Sequence, residues 1–241
     1  MDIPQISAHL RQHPYCHRHD FRELIAIEPG DAQSFRAYWS NLVRDEAFKE
    51  YTHRERRILR YRLLPSRQLQ IDRNAEFKSS VTYPIKYRQG VNALSYCEEG
   101  FIDHPVMQQL LAADLAVITP HLAEQAYAID IHQFRVRADA QASSPTTSGI
   151  HQDGLDWVFM HFIDAANTVP VVSEVFATDA PESCVLTVAM ERFLETIVID
   201  DRGVHHRASD VRPLSDSLPA WRDLLLVGFR CLPVEDEAQR S

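Results

Sequence analysis

Between residues 32 and 48, in AQSFRAYWSNLVRDEAF, apolar side chains recur at helical spacing: Phe35, Tyr38 and Trp39, Leu42, Phe48. That spacing predicts an amphipathic helix. A second helix is predicted over 105–128, opening after Asp103 as N-cap beside Pro105 and broken or kinked at Pro120. From residue 129 onward the period shortens. The runs AIDIHQFRVRA, DWVFMHFI, EVFAT, SCVLTVA, LETIVID, GVHHR and WRDLLLVGFRCL look like strands, separated by polar or proline-containing stretches such as QASSPTTSG and RPLSDSLPA. Helices followed by antiparallel-looking strands predict an α+β chain. It reads as one domain, with a helix-rich part over 1–128 packed on a jelly-roll core over 129–235.

Composition narrows the function classes. At 241 residues, 45% apolar and 24% charged, the chain suits one globular domain, and no stretch approaches a membrane span. The first thirty residues carry charge throughout with no apolar signal core, so a cytoplasmic location is expected. A net charge of −9 argues against nucleic acid as a partner. The run Arg54, Arg56, Arg57, Arg60 and Arg62 is read as a solvated face or as internal ion pairs with Asp45, Glu46, Glu50 and Glu55. Cys16, Cys97, Cys184 and Cys231 are too dispersed for a zinc knuckle or a disulfide framework, and are read as reduced and mostly buried. No phosphate-binding loop or dinucleotide fingerprint occurs. His13, Cys16, His17 and His19 lie close together but lack a partner motif further along, so they are read as a solvated arm rather than a metal site.

One constellation carries chemistry. In SGIHQDGLDWVFMHFI, His151 and Asp153 are two residues apart, and in an extended chain such residues project from the same face. A third ligand is available in DDRGVHHRASDVRP, where His205 and His206 compete for the role. If Val204 points inward, alternation turns His206 inward as well. Two imidazoles and one carboxylate with open positions suit iron(II) and oxygen chemistry. Arg222, at the start of a later apolar strand, offers a planar guanidinium that can grip a carboxylate through two parallel hydrogen bonds.

With these residues in place the chain resembles the bacterial 2-oxoglutarate- and iron-dependent dioxygenases of the L-isoleucine 4-hydroxylase type. The resemblance rests on IHQFR at 131–135, IHQDGLDWVFMHFI at 150–163, LETIVIDDRGVHH at 194–206 and WRDLLLVGF at 221–229. RRILRY at 56–61 and YPIKYRQGVNALSY at 83–96 add a looser likeness. It implies a double-stranded β-helix, iron held by His151, Asp153 and His206, and 2-oxoglutarate anchored by Arg222. By similarity Gln133 and Arg135 face the substrate or co-substrate; the plain structural alternative is that they cap the barrel edge. His161 recurs in the pattern too, but beside Phe159 and Ile163 it reads as a hydrogen-bonded core residue. The chain departs from the family at Val171 and Val172, where a glycine pair is usual, and β-branched residues forbid most of the conformations glycine allows.

The resemblance implies a dioxygenase that consumes 2-oxoglutarate and O2 to hydroxylate an unactivated carbon of a free, aliphatic L-amino acid. Arg135 is the candidate partner for such a substrate's carboxylate and Asp156 for its ammonium. The alternatives are the same chemistry on a carrier-bound amino acid, a small peptide or another metabolite, or a non-catalytic metal-binding barrel. A zinc hydrolase on the same ligands would leave Arg222 without a purpose.

Overall fold

The computed structural model describes residues 1–46, 49, 52–74, 76–77, 92–139, 141–145, 149–180 and 182–233. In chain order the elements are α1 (Ile3–Leu10), β1 (Tyr15–Arg18), α2 (Asp31–Ala37), β2 (Val43–Arg44), β3 (Arg54–Leu63), β4 (Leu69–Asp72), β5 (Glu76–Phe77) and β6 (Asn92–Ala93). They continue with α3 (Glu99–Ile102), α4 (Pro105–Ile118), β7 (Tyr127–Ala138), β8 (Trp157–Ala166), β9 (Val172–Ala177), β10 (Cys184–Ala189), β11 (Thr196–Asp200), β12 (Val204–Ala208) and β13 (Ala220–Cys231). No described helix is long and apolar enough to cross a membrane.

The strands form an antiparallel main sheet in the order β1-β11-β8-β13-β7-β3-β2, with β4 paired to β3, and a smaller sheet β10-β9-β12. The two faces of the main sheet meet different partners because side chains alternate along a strand. Ile129 and Ile131 of β7 and Leu225, Val227 and Phe229 of β13 pack on one side with Val106, Met107 and Leu110 of α4 and Ile6 and Leu10 of α1. Phe134 and Val136 of β7 and Leu224 and Leu226 of β13 turn the other way, toward Val171 and Val175 in the smaller sheet and its approach. The interior between the sheets is therefore lined by the second set.

Helix boundaries follow local chemistry. Asp2 caps α1 through a reciprocal box with Gln5. His104, rather than Asp103, caps α4: its Nδ1 accepts from the Val106 N–H at 3.2 Å, and Pro105 occupies the first helical position. α4 ends at Ile118, two residues before Pro120, and a short 3-10 turn replaces the rest of the predicted helix. The helix predicted over 32–48 is likewise shorter. It gives way after Ala37 to a 3-10 turn over Tyr38–Asn41 and then to β2, while Phe48 lies outside the described residues.

The boundary expected at 128/129 does not separate helices from sheet. The arginine-rich run is β3, paired along its length with β7, and Tyr15–Arg18 adds β1 at the far edge. On β3, Leu59, Tyr61 and Leu63 enter the helix-side core while Arg54 and Arg56 are buried on the opposite face, where both ion-pair with Asp45 at 2.9 and 2.7 Å. Of the acids expected to pair with that run, Asp45 does so; Glu46 pairs with Lys49 and Glu55 with Arg137 instead, Glu50 lies outside the described residues, and Arg60 meets Asp130. All four cysteines are free, but only Cys16 and Cys97 are buried; Cys184 is exposed and Cys231 half-buried. Of the 83–96 stretch, residues 83–91 lie outside the described part.

Candidate metal centre

β12 carries His206 into the interior and leaves His205 half-buried on its other face. His206 stands opposite Val175 of β9, and Ala208 opposite Ser173. The HxD segment is not the strand its spacing suggested. His151 forms an isolated bridge with His206, exchanging N–H···O bonds of 3.0 and 2.9 Å, and the chain then leaves in a loop. Glycines with positive φ flank it: Gly149 at +66° and Gly154 at +76°, a backbone conformation L side chains rarely adopt.

The three groups converge. His151 Nε2 lies 3.5 Å from Asp153 Oδ1, His206 Nε2 lies 3.5 Å from Asp153 Oδ2, and the imidazole centroids are 4.4 Å apart. Each can give one donor atom to a common point. His151 Nδ1 sits 2.9 Å from the Gly149 carbonyl, which favours the tautomer that donates there and leaves Nε2 with its lone pair toward Asp153. Burial lowers the His151 pKa, but the Asp153 carboxylate outweighs that and raises it above the ordinary imidazole value. His206 is more deeply enclosed, and burial brings its pKa down to about 4. Its Nδ1 is buried without a hydrogen bond among the described residues; the Asp201 carboxylate is 3.8 Å away.

The loop is held by residues that spacing alone did not reveal. Asp201 Oδ1 accepts the Asp153 N–H at 3.0 Å and Oδ2 the Leu155 N–H at 2.9 Å. Burial, with the neighbouring Asp153 charge, pushes the Asp201 pKa up to about 6. Gln152 Nε2 donates to the carbonyls of Asp201 and Val204 at 2.7 and 3.0 Å. The signal available beforehand was the Asp-Asp-Arg-Gly turn leading into His205 and His206.

Arg222 reaches the same interior. It is 3% exposed, and its Nη2 donates to Ser173 Oγ at 3.3 Å, two residues along β9 from the partner of His206. Its buried Nε has no hydrogen-bond partner among the described residues, and none of the ion pairs found there includes it. Burial alone depresses its pKa to about 10. A buried guanidinium facing a hydroxyl but, among the described residues, no carboxylate calls for an anion.

The other candidates lie elsewhere. Gln133, on the helix side of β7, donates to the Tyr38 carbonyl at 3.3 Å. Arg135 follows it on that side and grips Asp223 through two bonds of 2.7 and 2.6 Å. The period of two that turns Phe134 inward turns both away from the triad, which corrects the expectation that they face substrate. Asp156 lies under the loop with its carboxylate already used: it accepts the Cys231 N–H at 2.6 Å and pairs with Arg202. His161 is a core residue, with Nδ1 2.8 Å from Thr196 Oγ1 and Nε2 3.1 Å from Asp114 Oδ2. Val171 is buried against the cluster of Phe134, Val136, Ala138, Val211 and Ala220.

The family model for 2OG-Fe dioxygenases matches residues 36–228. No curated protein sequence matches the chain. Among solved structures, a bsmA homolog from Methylobium petroleophilum PM1 superposes with a TM-score of 0.82 at 21% identity, covering 96% of this chain and 94% of that one. The IDO protein from Bacillus thuringiensis gives 0.80 at 17% identity over 96% of both chains. The Fe(II)/α-ketoglutarate-dependent dioxygenase TqaL gives 0.74 at 16% identity over 95% of this chain and 86% of that one. Together with the two facing antiparallel sheets, these likenesses identify the fold as a double-stranded β-helix.

Proposed function

Because this chain belongs to the 2OG-Fe dioxygenase family, we propose that it hydroxylates an unactivated carbon of a free aliphatic L-amino acid, with His151, Asp153 and His206 as iron ligands and Arg222 as the 2-oxoglutarate anchor. The class itself, a non-haem oxygenase using iron(II) and 2-oxoglutarate, follows from membership. Bound together, iron and 2-oxoglutarate supply the oxidising power needed to break a C–H bond with O2. The chain's own residues supply position and shelter. The observation that carries the anchor is the buried Arg222 with no carboxylate beside it among the described residues. In this reading the co-substrate's far carboxylate takes the place beside Ser173 and accepts from the guanidinium.

An aliphatic substrate is supported by the interior lining: Phe134, Val171, Leu224 and Leu226 present hydrocarbon next to the triad's sheet. Such walls orient an alkyl chain and exclude water from the reacting centre. Arg135 is committed to Asp223, as Arg54 and Arg56 of β3 are to Asp45. Arg54 and Arg56 turn to the interior face, and the Arg54 guanidinium lies 5.4 Å from the Phe134 ring centroid. Resemblance to the isoleucine 4-hydroxylase type carries the choice of a free amino acid.

The test is succinate release by iron-loaded enzyme given 2-oxoglutarate and O2 with Leu, Ile, Val or Met in turn. Succinate formed in step with a product bearing one added oxygen is expected for at least one of them. Release that no free amino acid accelerates, but a peptide or carrier-bound residue does, would keep the class and overturn the substrate.

A further inference from the structure

A second set of imidazole and carboxylate donors converges at the β1 edge of the main sheet. β1 runs antiparallel to β11 with His17 opposite Ile197 and Arg18 opposite Thr196, so one further step brings His19 level with Glu195. His17 lies on β1 and His19 just past its end, with their rings 4.2 Å apart. His17 Nε2 and His19 Nδ1 each lie 2.8 Å from the same oxygen, Glu195 Oε1. The other oxygen is committed elsewhere: Oε2 accepts the backbone N–H groups of Glu191 and Arg192 at 2.9 and 3.1 Å. Glu195 is 2% exposed, so those two amides fix the carboxylate plane and aim Oε1 at the imidazoles.

The neighbours in sequence go other ways. Cys16 is buried in the helix-side core, and His13 stacks on His9 at the end of α1. The histidine-rich arm thus splits, and the partner it lacked in sequence arrives from the turn before β11.

We propose that His17, His19 and Glu195 form a second divalent-cation site, suited to zinc and separate from the centre at His151, Asp153 and His206. Two imidazoles and a carboxylate are a donor set for zinc, nickel or copper rather than for magnesium or calcium, which favour oxygen. Tetrahedral zinc bonds of about 2.1 Å place donor atoms roughly 3.4 Å apart, so the present contacts must open by about 0.6 Å. His19 makes this easy: it lies just past the strand end, and its side chain is 66% exposed. Water would complete the coordination. Bound there, the ion would tie the four-residue edge strand β1 to the 191–195 turn. Because only the folded chain brings the three donors together, zinc would raise thermal stability by mass action.

Equilibrium dialysis against zinc, with metal counted by atomic absorption on chelator-stripped full-length protein, separates the two sites. The D153A/H206A variant lacks the first centre and is expected to retain a single equivalent, with a zinc-dependent rise in melting temperature. Adding His19→Ala, at an exposed side chain where folding is not at stake, is expected to abolish both. An equivalent that survives His19→Ala in that background, or no zinc bound by D153A/H206A itself, overturns the proposal. Neither outcome depends on whether the enzyme oxidises amino acids.

Discussion

His205 and His206 are adjacent in sequence yet meet different surroundings, because β12 turns one inward and the other out. His206→Ala should abolish stoichiometric iron(II) binding, as should Asp153→Ala, whereas His205→Ala should bind iron like the native protein; anaerobic dialysis with metal analysis distinguishes them. Asp201 is a positioning residue for Asp153 through two backbone amides. Asp201→Ala should weaken iron binding about 10–100-fold, the usual loss when support for a ligand is removed, and Asp201→Asn, which keeps one acceptor, should recover part of it. Equal affinities for the native, Ala and Asn proteins would show that the loop holds itself. Much of this was legible from His151-x-Asp153 and the later histidine pair, because ligand chemistry requires those residue types. Asp201 was not, since it acts through main-chain contacts that no side-chain spacing records.

At the scale of elements, period-two alternation was a dependable signal where one face is apolar and the other polar. The strand runs from 129 onward correspond to β7 through β13 within a few residues. β3 escaped because it carries Arg54, Arg56, Arg60 and Arg62 on one face, and only other elements bring the acids that meet them: Asp45 for the buried Arg54 and Arg56, Asp130 for the half-buried Arg60. A pattern reader sees charge and infers solvent. The HxD segment failed differently: its two candidate ligands converge through a glycine-flanked loop rather than through a strand. Arg135 was misassigned for want of parity, since its neighbour Phe134 faces the interior and it does not. Val171, where the family usually has glycine, is a wall of the interior cluster. Val171→Ala should lower stability by about 1–3 kcal/mol, from lost burial and the cavity left behind. It should also shift preference toward bulkier side chains, read as the ratio of kcat/KM values across the amino-acid panel; an unchanged ratio would place Val171 outside the substrate's reach.

For the whole molecule, histidines held neutral in the folded state contribute one dependence of stability on pH. Burial, reinforced by the nearby Arg56 charge, lowers the His132 pKa to about 4. In the unfolded chain a histidine takes up its proton near pH ~6.5. Between those values the unfolded state binds more protons at this residue than the folded state, so the contribution of His132 to stability falls as pH drops from about 6.5 to about 4, while Asp201 and Asp223, which burial lifts to about 6, act in the opposite sense. His206 adds to the same slope in metal-free protein. His132→Gln should flatten the decline, seen as a smaller loss in urea midpoint between pH 7 and pH 5; parallel declines would show that other groups carry it.

In the proposed function, Arg222 binds 2-oxoglutarate beside a metal held by His151, Asp153 and His206. The most direct test is an anaerobic titration of iron-loaded protein with 2-oxoglutarate, following the visible charge-transfer band of the chelate in native and Arg222→Ala proteins. A saturable band in the native protein, needing about 10–100-fold more 2-oxoglutarate in the variant, is the predicted result, in line with the loss of a charge-assisted pair. Superimposable titrations, or no band in folded, iron-loaded native protein, would contradict it.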